Sequence, residues 1–354
     1  KGVTKNVPLN TVKPHRKGML ILPAEQWEEN ESILIEFFTA EGELIDAYRP
    51  VLGAEKIAYP STLSGKKLSI ADNDNKVTIS GEGFEIPFDK ATGLIVNATV
   101  GGKVIIEKGP FLNLYINLNH LTGAEVRKTA NHFATSDADW KKSSFNYTSK
   151  ADGVYVVLSG TYRGVNVDFN LKITPSGELT VDYRTTDVPN GFLRETGLSF
   201  YLPDTMQQLD WKRKGYWNYY PEGEFAGNEG STSLYRSQQA AYGKKPMQPW
   251  QADTHNYYYW ADAGANCRQP LTQMAKGMKE NIYYYSLSSG TEDGHKLSIV
   301  STDASTACRL NKRADEQLIL YINNHWDYPE IAWGNYCKTL EALPCYGRIN
   351  LRIK

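Results

Sequence analysis

Residues 154–186 read VYVVLSGTYRGVNVDFNLKITPSGELTVDYRTT, and this stretch decides the fold class. Within it Val165, Val167, Phe169, Leu171 and Ile173 alternate strictly with Asn166, Asp168, Asn170 and Lys172. Successive side chains of a strand point to opposite faces, so this period of two predicts one dry face and one wet face. The pattern recurs upstream as KVTIS, GFEIPFD, LIVNATV and KVIIEKG, with turns at Lys90-Ala91-Thr92-Gly93 and Gly101-Gly102. Short apolar runs joined by Gly-containing turns read as a meander of hairpins. Downstream, LSFYLP, NIYYYSLS, HKLSIVS, EQLILYIN and RINLRIK continue the series. No helix longer than three turns is expected, and strands do not alternate with helices, which excludes a (β/α)8 barrel or a doubly wound sheet. The predicted fold class is all-β, with two large antiparallel sheets packed as one sandwich over residues 77–354.

The N-terminal part reads differently. VPLNTV, GMLILP (18–23), ILIEFFT (33–39) and LIDAYRPVL (44–52) are expected as strands, separated by Pro14, Glu41-Gly42 and Gly53. Three or four strands fall short of the roughly seven of an immunoglobulin-like sandwich. Residues 1–55 therefore read as a partial sandwich with an open edge, and 56–76, rich in small and polar residues, as a linker. The chain opens on Lys1-Gly2-Val3-Thr4 without an initiator Met or signal segment and reads as processed, truncated or a cloned piece.

Composition narrows the function. Thirty-nine basic against 40 acidic residues leave a net charge of -1, so no electrostatic footprint for nucleic acid is present. No apolar run of 18 or more residues exists to span a membrane. With 23 Tyr and 8 Trp, the chain is rich in side chains that combine a flat apolar face with a polar edge, as sugar recognition requires. Most of these aromatics are expected to fill strands and core. Cys267, Cys308, Cys337 and Cys345 show no CxxC spacing, which argues against zinc. They leave buried thiols and an exported, disulfide-bearing protein as equal readings, the latter implying a periplasmic or secreted location with Cys337 and Cys345 as the candidate pair. No metal, nucleotide or other cofactor motif occurs.

Catalytic candidates are few. Glu222 and Glu224 share a strand face by spacing, yet follow Pro221 in a polar stretch and read as solvated loop residues. The Asp137–Trp140 stretch, DADW, reads as a turn before a strand or short helix. Among the six histidines His325 stands beside Trp326, and Trp326 and Trp333 flank the polar, Pro-containing Asp327-Tyr328-Pro329-Glu330. Large aromatics in such a segment either cover a sheet edge or meet a ligand, which singles out Trp333, Trp326 and the neighbouring His325. Trp250 and Tyr257–Trp260 read as sheet faces and an edge.

FEIPFDKATGLIVNATVGGKVIIEKGPFLNLY (84–115) resembles the opening of the large C-terminal β-domain of family 2 glycoside hydrolases of the β-galactosidase type. KGYWNYYPEGEFAGNEGSTSLY (214–235) is similar to that family's Tyr-Pro block, with Glu222-Gly223 where the family has Asp-Arg. NNHWDYPEIAWGNYCK and the closing YGRINLRIK resemble its Trp-bearing loop and last strand. The upstream VKPHRKGMLILP and SILIEFFTAEGELIDAY resemble the second half of the preceding immunoglobulin-like domain. YINLNHLTG (115–123) replaces the family's acidic loop, which favours a diverged member. The resemblance implies a galactose mutarotase-like supersandwich that completes a galactoside-like sugar site and packs against a catalytic barrel domain of the same enzyme. It places the catalytic carboxylates on that barrel, leaving none in this chain, and gives Trp333 the role of stacking on the sugar, with Trp326 as the fallback and His325 beside it as the third carbohydrate-binding candidate. Two rivals stand beside it: a self-sufficient aldose epimerase-like enzyme, with a pair such as His255 and Asp253, and a purely sugar-binding or structural module.

Overall fold

The computed structural model describes residues 4–7, 13, 15–22, 33–48, 57–63, 65–118, 132–214, 229–233, 279–290, 295–312, 317–326 and 345–354. They fall into two compact units, Lys1–Lys56 and Ile57–Lys354. In the first unit, β1 (Ile35–Phe38) pairs antiparallel with β2 (Leu44–Tyr48). The turn between them needs Gly42 at φ 86°, a left-handed conformation that costs a glycine little. Residues 18–22, expected as a strand, pair with no described residue, and Met19 and Ile21 stand exposed. A strand exists only through its ladder partners, so apolar composition alone did not make one here. The strands expected around 7–12 and after Tyr48 lie outside the described residues.

The second unit begins with β3 (Ser69–Asp72), β4 (Lys76–Gly81), β5 (Phe84–Asp89), β6 (Ile95–Val100), β7 (Lys103–Asn117) and β8 (His132–Ala134). It continues with β9 (Trp140–Lys150), β10 (Gly153–Tyr162), β11 (Val165–Ile173), β12 (Glu178–Thr186), β13 (Phe192–Leu202) and β14 (Gln208–Arg213). The last strands are β15 (Glu229–Ser233), β16 (Lys279–Ser288), β17 (Lys296–Val300), β18 (Thr306–Lys312), β19 (Leu318–Trp326) and β20 (Tyr346–Ile353). All pairings among the described residues are antiparallel. One arm runs β3-β4-β5-β6-β7-β13-β19-β18, and the other runs β9-β10-β11-β12-β20-β17. Strand β16 joins them, pairing with β18 near its start and with β17 along its second half, while β14 occupies its other edge. The sheet curls until its end strands meet, where Tyr147 Oη donates to Asp72 Oδ2 over 2.6 Å. The fold is therefore the all-β antiparallel one expected from the alternation, and the large supersandwich that the resemblance implies.

Local chemistry explains the curl. On β11, buried residues alternate with exposed ones from Val165 to Asn170, and the apolar set enters one continuous core that includes Phe88, Phe169, Phe200 and Trp211. At 89–93 the Asp89 carboxylate accepts from the Ala91 and Thr92 amides and the Thr92 hydroxyl, an Asx-type clamp that closes the turn. Gly101 and Gly102, at φ 53° and 78°, supply the two left-handed positions of a two-residue hairpin. The DADW stretch is a three-residue 3-10 turn, Asp137–Asp139, capped by Ser136 and leading into β9. Residues 56–76 do more than link: they hold β3, and Leu63 and Leu68 pack on the core. A short edge strand with one large apolar residue, Ile70, leaves little alternation to read.

The two arms are tied by a buried phenol. Tyr162 of β10 is fully buried, and its oxygen accepts from the Leu112 amide of β7 at 3.2 Å. Burial holds this phenol well above its ordinary pKa, so it remains protonated at any working pH. Tyr162→Phe strands the Leu112 N–H inside the core and is expected to cost about 1–2 kcal/mol, read as a lowered urea midpoint with unchanged slope.

No described helix is long and apolar enough to cross a membrane. Cys308 is a buried free thiol. Cys345 is buried beside Thr185 and Thr196, whereas Cys267 and Cys337 lie outside the described residues.

Candidate functional site

The first arm buries one face in the core and turns a polar face the other way. On β13 the alternate positions Leu198, Phe200 and Leu202 are core, and on β7 so are Leu112, Leu114 and Ile116. The intervening positions meet on the second face. Asn113 of β7 donates through one Nδ2 to Glu195 Oε2 of β13 at 2.7 Å and to Asn323 Oδ1 of β19 at 2.8 Å. Arg309 of β18 grips Glu195 with Nε at 3.2 Å and Nη2 at 3.1 Å. Its guanidinium lies over the Tyr321 ring, 3.6 Å from the centroid, a cation–π arrangement. Four adjacent strands thus place a carboxylate, a guanidinium and two carboxamides in one hydrogen-bonded cluster.

Glu195 is 1% and Arg309 3% exposed, so water screens neither charge. Desolvating a carboxylate is costly unless it is paired and hydrogen-bonded, and here both of its oxygens are engaged. Such a carboxylate is a fixed acceptor that orients its neighbours. At the rim, Tyr115 pairs in register with Glu195, and its ring stacks on His132 with centroids 5.2 Å apart. Burial, aided by the nearby Glu195 charge, pushes the Tyr115 phenol up to about 12, which keeps it a hydrogen-bond donor. On the other edge of β13, Glu195 pairs with Trp326 and Thr196 with His325. A bulge between Thr196 and Gly197 sets this register. Gly197 has no room for a side chain, because a Cβ would run into the Ile322 carbonyl oxygen of β19.

Two of the three expected site residues end β19, both half-buried: Trp326, in register with Glu195, shares the face of the cluster, whereas His325, in register with Thr196, is turned to the other face. Trp333, the third, lies outside the described residues, as do Glu222, Glu224, His255 and Asp253. The sequence reading missed Asn113, Tyr115, Glu195 and Arg309. The available signal was Glu195 itself, a charge on a strand whose other alternate positions are apolar or small. Among the described residues no group of three or more His, Cys, Asp or Glu side chains could hold a metal ion. What the face offers is a set of fixed donors and acceptors flanked by aromatic rings, the usual make-up of a site for a polar small molecule.

No curated protein matches the chain. Among solved structures, a protein of Escherichia coli K12 assigned as an aldose 1-epimerase shares 12% identity, with 81% of this chain and 99% of that one covered and a TM-score of 0.39. Galactose 1-epimerase from Lactobacillus acidophilus NCFM shares 11% identity, covering 82% and 99%, with a TM-score of 0.29. YidC from Thermotoga maritima shares 9%, covering 82% and 51%, with a TM-score of 0.26. Likeness this distant says nothing about activity. Residues 80–231, which carry β5 to β14 and with them Asn113, Tyr115 and Glu195, match the family described as the beta galactosidase small chain.

Proposed function

We propose that this chain is the C-terminal accessory part of a β-galactosidase-type glycoside hydrolase, binding a galactoside-like sugar and shaping the mouth of an active site whose catalytic carboxylates sit on a separate barrel domain. One observation supports the reading: the family match spans the strands that bring Asn113, Tyr115 and Glu195 to one face, and Trp326 of β19 stands in register with Glu195. Glu195 fixes Asn113, Tyr115 offers its phenolic hydrogen to a sugar oxygen, and the Trp326 indole provides an apolar face for the carbon side of a pyranose. Trp333 is proposed to extend that aromatic wall.

Retaining hydrolysis needs two carboxylates about 5–5.5 Å apart, one acting as nucleophile and one as acid/base. Glu195, clamped by Arg309, is neither. The isolated chain is therefore expected to bind galactosides without hydrolysing an aryl galactoside and without speeding mutarotation of galactose. Turnover in either assay above that of a Glu222→Ala/Glu224→Ala control, or absence of galactoside binding by calorimetry, would overturn the proposal.

A further inference from the structure

A cavity of about 630 Å³ opens on the polar face of β14, β15, β16 and β17, and shares no lining residue with the Glu195 cluster. Its floor is one row of register partners: Ser231 of β15, Asp210 of β14, Ser286 of β16 and Ser298 of β17. Trp211, Leu287 and Leu297, one position along, point into the core. The row ends in short side chains while Tyr284 and Lys296 each stand two positions away on the same face, and that difference in reach hollows the face. Segment 58–61 walls one side. Arg352 Nη1 donates to the Pro60 carbonyl at 2.8 Å, Lys354 Nζ to Ser61 Oγ at 2.5 Å, and Tyr59 Oη to the Ser301 carbonyl at 3.4 Å.

The lining has a definite chemistry. The lining carries two carboxylates, Asp210 and Glu229, and two ammonium groups, Lys296 and Lys354; Asp210 lies 3.5 Å from Lys296, Glu229 lies 3.2 Å from Lys212, and Lys354 Nζ is engaged with Ser61, so the side-chain charges balance and favour neither an anion nor a cation. Ser286 donates to Ser298 Oγ at 2.8 Å inside the buried floor. The hydroxyl hydrogen of Ser298 finds no acceptor among the described residues. A ligand with two adjacent hydroxyls meets every demand: one oxygen accepts from Ser298 and Lys296, and its neighbour donates to Asp210. The half-buried ring of Tyr284 gives an apolar surface beside them. Trp211 is fully buried, and Gly230 lies against its indole so closely that a Cβ there would come within 2.6 Å, which makes this a packed, rigid base.

We propose that this cavity is a second saccharide site, taking one neutral pyranose through a vicinal diol. The proposal stands on the cavity alone and does not depend on the reading of the Glu195 face. Amide resonances of the full chain, followed during titration with D-galactose and with lactose, test both faces in one experiment. Saturable shifts at Asp210, Ser286 and Ser298 are expected, with a dissociation constant on the order of 1 mM. Asp210→Ala, at a half-buried position that does not enter the core, should weaken them about tenfold, and Lys296→Met likewise. Tyr115→Phe should leave them unchanged. Flat shifts at these amides in the folded wild-type protein, or saturation unaltered in both Asp210→Ala and Lys296→Met, would overturn the second site. Failure of the first site would appear separately, as flat shifts at Asn113, Tyr115 and Glu195.

Discussion

Replacing Arg309 with methionine is expected to cost about 3–5 kcal/mol, because it leaves the Glu195 carboxylate buried without its counter-charge. The aliphatic part of the side chain is kept, so the loss reports the charge and not a cavity. Removing both partners is a different matter. Glu195→Leu combined with Arg309→Met deletes the charge pair as a unit, and apolar replacement of a buried pair is often close to neutral. The double variant should therefore recover most of the stability lost by Arg309→Met, while Asn113 loses one of its two acceptors and retains Asn323. Urea melts of the three variants measure the coupling directly. A loss below about 1 kcal/mol for Arg309→Met would mean that water reaches the pair and that the cluster is an ordinary surface salt bridge.

Gly197→Ala is the second large effect, expected at about 3 kcal/mol, the upper end of what overpacking costs. The obstacle is backbone: the new Cβ would press on the Ile322 carbonyl oxygen and the Asn323 Cα of β19. A side chain can rotate away from a clash, but a ladder strand moves only by breaking its pairing. Because β13 is the strand to which β7 and β19 both pair, displacement there also separates Asn113 from Asn323. The variant should melt lower and bind galactosides more weakly. A wild-type melting curve would show that the two strands stand further apart than the register of Gly197 and Asn323 requires.

Much of this fold was legible because it is written in local pattern. The alternation at 165–173, the turn at Lys90–Gly93 and the Gly101-Gly102 turn each concern residues within a few positions of one another. The site was less legible because its parts are remote. Glu195 and Arg309 lie 114 positions apart, and Asn113 and Asn323 lie 210 apart. No spacing rule joins them; only the order β7-β13-β19-β18 does. Arg194 and Glu195 also sit side by side in sequence, which invites reading them as one solvated pair, yet neighbours on a strand face opposite ways and both are buried. Trp326 and His325 could be singled out because an aromatic beside a histidine in a polar stretch is visible without any partner, and their part in sugar binding is a proposal. In the N-terminal unit, the apolar run at 18–22 misled because strand propensity is realised only when another strand is there to pair with.

The central claim is that the rim of the Glu195 face recognises sugar. Trp326→Ala tests it most directly, by calorimetric affinity for a galactoside measured beside a melting curve. Trp326 is only half-buried at the end of β19, so its loss should leave no large core cavity and shift melting little, while affinity falls about tenfold through the lost stacking face. A fall of many degrees in melting temperature with galactoside affinity unchanged in the folded fraction would show that Trp326 is packing, and would contradict the account.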